Sequence, residues 1–152
     1  MTAPPRNAAA GPPGPPAATA VVEAYFEAVD AEDFDKLSRL LDSDVSLTAC
    51  GSRPRQGAAA VIALFRAIFE RFPMHADRPR RLICEGGTVV AEFRFEGTSA
   101  AGVDVAFEAV DVFDIEDGRI VRLTQWFDSA HLERQLRSAG APSRQPPAPS
   151  GP

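Results

Sequence analysis

The sequence is poor in the residues that build metal centres and disulfide frameworks. Its 152 residues include two cysteines and two histidines. Cys50 and Cys84 have no metal-ligand spacing and are too few to staple a fold. In predicted strand or strand-end positions they read as reduced, buried, small apolar side chains. His75, in the turn Pro-Met-His-Ala-Asp-Arg-Pro, and His131, on the closing helix, each lack a second ligand at metal spacing. They read as surface residues or as residues behind a site. No basic block is longer than Arg78-Pro79-Arg80-Arg81 and the net charge is -5, which argues against a nucleic-acid partner, since such binding rests on counterion release from phosphates. No apolar run is long enough to span a bilayer, and the proline-broken N-terminus cannot form a signal helix. There is no glycine-rich phosphate loop and no nucleophile elbow. These absences describe a soluble, cytoplasmic chain with no cofactor, no membrane and no nucleic acid among its expected partners.

What the chain does have is one folded stretch between two low-complexity ends. Most of the 14 prolines lie in residues 1–17 and 139–152, which are also rich in Gly, Ala and Ser. Such segments bury too little surface to offset their ordering entropy and read as disordered tails. Residues 18–138 are enough for one domain with a real core. Val21, Val22, Tyr25, Phe26 and Val29 recur at helical spacing, and a short second helix carries Phe34, Leu37, Leu40 and Leu41. A brief strand covers 44–49. Gly57 precedes an amphipathic helix that Pro73 stops. The period then changes to two, with strands near 79–85, 88–97, 103–115 and 119–127, and a last helix starts after Asp128-Ser129. Helices first and an antiparallel meander second predict an α+β fold, a curved antiparallel sheet with helices in its concave face.

Two polar residues stand out against this apolar pattern. Tyr25 lies on the apolar stripe of the first helix, and Asp111 interrupts a greasy strand between Val110, Val112 and Phe113. A carboxyl there must be paired or kept protonated, because burying a bare charge is costly. A phenol facing a neutral carboxyl across an apolar pocket places two hydrogen-bond donors on one ligand oxygen, an arrangement that stabilises an enolate without a cofactor. Packing alone also accounts for a core tyrosine or a hydrogen-bonded buried aspartate.

The element order and the phrases VVEAYFEAVDAEDFDKLSRLL, RQGAAAVIALF and VDVFDIEDGRIVRLTQWFD resemble the nuclear-transport-factor-2-like (NTF2-like) superfamily, and within it the SnoaL-like and ketosteroid-isomerase-like small proteins. The resemblance covers residues 19–138 and implies the cone-shaped fold of that superfamily, which hosts isomerases, cyclases, hydrolases and inactive domains. It places Tyr25 and Asp111 on the oxyanion-hole Tyr and protonated Asp of ketosteroid isomerases. It places Ala49 where those enzymes carry their general base, so the usual steroid double-bond shift is not expected. A limonene-epoxide-hydrolase-like template matches Trp126-Phe127-Asp128 to that family's carboxylate-bearing phrase, with Arg94 and Glu96 as the other charges. Its water-positioning residues fall on Leu47 and Ala49, and strand parity turns Glu92, Arg94 and Glu96 away from the apolar face.

The resulting expectation is an isomerase, cyclase or dehydratase working by cofactor-free acid/base chemistry on a hydrophobic carbonyl- or hydroxyl-bearing small molecule, of steroid, terpene or polyketide size. Its catalytic candidates are Tyr25, Asp111 and Asp128, the last also a candidate helix cap. Leu47, Ala49, Phe93, Phe95, Phe107, Phe113 and Trp126 are the candidate substrate-binding residues. The alternatives are a non-catalytic ligand-binding or dimerisation module and an epoxide hydrolase. A homodimer through the outer sheet face is expected in each case.

Overall fold

Apolar residues at helical spacing start the chain's described part. The structure, a computed structural model, describes residues 15–138. The segments read as tails lie outside these residues, except that helix α1 (Pro15–Asp30) begins slightly ahead of the expected boundary. Proline fits there because the first turn of a helix has no internal acceptor for its N–H groups. Val22, Tyr25, Phe26 and Val29 form the buried stripe of α1. A turn with Glu32 at φ 52° leads to Asp33, whose carboxylate accepts the Lys36 N–H at 2.9 Å and caps α2 (Phe34–Leu40). Helix α3 (Ala58–Arg71) buries Val61, Phe65 and Phe69 and ends ahead of Pro73, since the residue before a proline is pushed out of the helical region. Helix α4 (Ser129–Ser138) follows the last strand.

Six strands, β1 (Leu41–Ala49), β2 (Arg55–Gln56), β3 (Met74–Glu85), β4 (Thr88–Thr98), β5 (Asp104–Glu116) and β6 (Arg119–Phe127), form one curved, unclosed sheet in the order β2-β1-β6-β5-β4-β3. β3 to β6 are the antiparallel meander. β1 instead joins β6 in parallel, a pairing that needs a long crossover and leaves no local sequence mark. The sheet is therefore mixed. Val89, Ala91, Phe93 and Phe95 are buried on the face the helices cover. Arg94, on the other face, bonds Glu96 at 3.0 Å and Glu108 at 2.9 Å.

Two local expectations are corrected. β3 starts at Met74 rather than near residue 79, so His75 belongs to a strand and not to a turn. The two prolines concealed this. β3 is an edge strand whose register shifts between Pro79 and Arg81, and an edge irregularity tolerates the missing N–H of Pro79. The cysteines are free but not buried: Cys50 is exposed in the turn after β1, and Cys84 is partly exposed on β3.

Candidate active site

Strand register brings the polar groups together. Asp111 on β5 pairs with Ala91 of β4 on one side and with Gln125 of β6 on the other. Side chains of directly paired residues share a face, and the Gln125 amide donates to Asp111 Oδ2 at 3.0 Å. Asp111 is only 1% exposed, and its Oδ1 has no partner. Burial raises its pKa to about 8; the Gln125 hydrogen bond opposes this, and the Asp77 charge adds to it. With Oδ2 accepting from Gln125, the unpartnered Oδ1 is the oxygen free to carry the proton of the neutral acid.

Tyr25 is held by aromatic edges. Its ring centroid lies 5.0 Å from Phe113, 5.3 Å from Phe26 and 6.1 Å from Phe65, all at steep angles, the preferred geometry for aromatic pairs. Burial, then the charges of Asp111 and Asp77, push the phenol's pKa well above its usual range, so it stays a donor.

A cavity of about 170 Å³ opens between α1, α3 and the sheet, lined by Tyr25, Asp111, Phe93, Phe95 and Phe107 among the expected residues. The other five named residues do not line it. Phe113 is fully buried behind Tyr25, and Leu47 is fully buried in the core. Ala49 is half-buried at the end of β1. Trp126 is 52% exposed on the outer face, because the parity that turns Gln125 and Phe127 inward turns Trp126 out. Asp128 is exposed, accepts the His131 N–H at 2.8 Å and lies 3.8 Å from Arg134, the position of a helix cap. Arg94 and Glu96 lie on the outer face, away from the cavity.

Sequence reasoning missed His75, Asp77, Gln125 and Phe127, all of which line the cavity. His75, expected at the surface or behind a site, has its ring stacked on Phe69 at 4.3 Å. Its nitrogens lie 3.0 Å from the Phe72 carbonyl oxygen and 3.4 Å from that of Val29. Asp77 stands two residues along the same strand. Part of the residue reaches solvent, but its Oδ1 is sealed and unpartnered. Burial and the Asp30 charge raise its pKa to about 7, against the pull of His75. The period-two pair His75 and Asp77 is the signal that marks both residues as one-faced.

The fold is that of the NTF2-like superfamily, and its concave face holds an apolar chamber with few polar groups. The chain belongs to the SnoaL-like domain family, whose model matches residues 22–123. It is 28% identical over 107 residues to epoxide hydrolase EphG of Mycobacterium tuberculosis, covering 70% of each chain. Among solved structures it is similar to an LEH-like epoxide hydrolase from M. tuberculosis, with TM-score 0.73 and 26% identity over 85% of this chain and 96% of the other. It also shares its fold with a protein proposed to be a SnoaL-like polyketide cyclase from Jannaschia sp. CCS1, with TM-score 0.76 and 20% identity over 86% and 96% of the two chains. Among the described residues, no helix is long and apolar enough to cross a membrane.

Proposed function

We propose that this protein is a cofactor-free acid/base enzyme that polarises the carbonyl of a hydrophobic small molecule through Tyr25 and Asp111, the first step of an isomerisation, cyclisation or dehydration. The observation that carries this reading is the unpartnered Oδ1 of Asp111 in an apolar cavity shared with Tyr25. A buried polar atom without a partner is an exception that calls for a ligand or a role. Two neutral donors in a closed apolar site are strongest where negative charge develops on a ligand oxygen.

Cavity size narrows the ligand. A space of about 170 Å³ is near the ~150 Å³ that accepts a benzene ring and below the ~300 Å³ lower end of drug-sized pockets. This favours a one-ring ketone or enone over a steroid or a fused polyketide. The bound carbonyl of 2-cyclohexenone should show a lowered infrared stretching frequency, a shift lost in Tyr25→Phe and Asp111→Asn. Proton exchange at its enolisable carbons should fall on the order of 10²–10³-fold in Asp111→Asn. A carbonyl that binds without any shift in the unaltered protein would leave a non-catalytic binding module.

Epoxide hydrolysis is the second reading, favoured by the similarity to EphG. The outward positions of Arg94 and Glu96 and the cap position of Asp128 weigh against its usual charge set. Diol formation from limonene 1,2-epoxide, lost in Asp111→Asn, would put it first. Under either reading we infer a homodimer through the outer sheet face. Register lines up Ile83, Val90 and Val112 there, with Val110 beside Trp126.

A further inference from the structure

We propose that Asp77 is the general base of this cavity, taking a proton from the carbon next to the carbonyl of a one-ring enolisable ketone; this rests on the acid/base reading above. Asp77 enters from β3 opposite Phe95, whereas Asp111 lies opposite Ala91. Along β4 these positions are four residues apart, about 13 Å on a flat sheet. Both side chains nonetheless line one cavity, close enough that the Asp77 charge raises the pKa of Asp111. A ring placed between them presents its carbonyl to Tyr25 and Asp111 and an adjacent C–H toward Asp77. The Asp77 backbone N–H donates to Asp30 Oδ1 at 2.8 Å, which ties the strand to α1, while the sealed Oδ1 has no protein partner. His75 is not a competitor, since both its nitrogens face backbone carbonyls.

The step balances without a further reactant. The C–H bond breaks, Asp77 takes the proton, and the electron pair forms the enolate, whose oxygen accepts from Tyr25 and Asp111. Return of the proton to the same or a conjugated carbon gives exchanged or isomerised product.

The charges that bear on Asp77 come from several elements. Asp30 of α1 raises its pKa and His75 of β3 lowers it, while the Asp77 charge raises those of Tyr25 of α1 and Asp111 of β5. Arg71 of α3 lines the same cavity, Glu32 of the turn after α1 lies 3.9 Å from His75, and β4 contributes Phe93 and Phe95. Burial and Asp30 hold Asp77 near 7, while Asp111 titrates near 8. An ionised Asp77 raises the pKa of Asp111, so the carboxyl that has lost its proton helps the other to keep one, and the pair holds a base and an acid at one pH.

Deuterium exchange into 2-cyclohexenone, followed by proton NMR, tests the assignment, with 4-nitrophenol binding by absorbance as the second readout. Asp77→Asn should lose 10²-fold or more of the exchange yet bind 4-nitrophenol as well as the unaltered protein does, which also shows that it is folded. Asp111→Asn should lose both. The exchange rate of the unaltered protein should rise toward pH ~7 and fall beyond ~8, a bell set by an essential base and acid. A flat profile overturns the proposal without any variant. Exchange within threefold of normal in Asp77→Asn, with Tyr25→Phe impaired, removes the base and leaves the carbonyl reading standing. No exchange by the unaltered protein, with 4-nitrophenol still bound, overturns both.

Discussion

Asp111 and Asp77 each carry a consequence that can be measured without knowing the ligand. Asp111 moves from its usual 3.8 to about 8 on folding, chiefly through burial, and Asp77 from 3.8 to about 7. Within that window the native state holds more protons than the unfolded chain. The contribution to stability is therefore complete below about pH 4, declines as pH rises, and is gone above about 8. The urea midpoint should fall between about pH 5 and about pH 8, by an amount on the order of a few kcal/mol when converted to free energy. Asp111→Asn should flatten most of that slope, because the amide cannot ionise and still accepts from Gln125. A midpoint that stays level over the same range would mean these carboxyls ionise freely, since unshifted carboxyls are charged in both states above about pH 5. At this scale Asp111 was legible in the sequence, since an acid inside Val-Asp-Val-Phe is conspicuous. Asp77 was not, because Arg78 and Pro79 beside it suggest solvent.

At the level of elements, the start of β3 shapes the cavity through Gly97. Register sets Gly97 opposite His75. A Cβ built on it would stand 2.9 Å from the Phe95 ring and 3.1 Å from the Met74 carbonyl oxygen. The Phe95 ring cannot yield easily, stacked on Phe107 at 4.9 Å and edge-on to Phe72 at 5.5 Å. Gly97→Ala should cost about 1–3 kcal/mol, the usual penalty of overpacking, and should weaken binding of a one-ring ligand by shifting Phe95 in the cavity wall. Urea unfolding and a 4-nitrophenol titration check the two effects. Unchanged values in both would show that β3 moves aside freely. The helices and the β4–β6 strands were readable because burial on one side imposes a period of 3.6 or 2 on the sequence. The true start of β3 and the parallel placement of β1 were not, since a proline-bearing edge and a distant pairing partner leave no period behind.

For the whole molecule, the two sheet faces differ in character. The concave face holds the cavity. The outer face leaves Trp126 52% and Ile83 50% exposed, set among ion pairs such as Arg81 with Glu92 and Arg80 with Glu108. An apolar row rimmed by charge has the layout of an isologous interface. Sedimentation at tens of micromolar, on the order of a typical working concentration, should give a dimer, and Trp126→Arg should shift it toward monomer while leaving 4-nitrophenol binding intact. A monomeric unaltered protein would leave that row without a partner of its own kind.

Patterning by itself determined an α+β fold with a curved sheet, the inward faces of β4 and β5, and that an acid at position 111 would be buried beside apolar neighbours. Those are local consequences of water driving one side of each element into a core. Only the tertiary structure decided which inward residues meet in one cavity. Sheet curvature and register bring Gln125 and Asp77 to Asp111 and Tyr25. They also set a volume of about 170 Å³. Those choices depend on pairings between residues far apart in the chain, and no period within a single element encodes them.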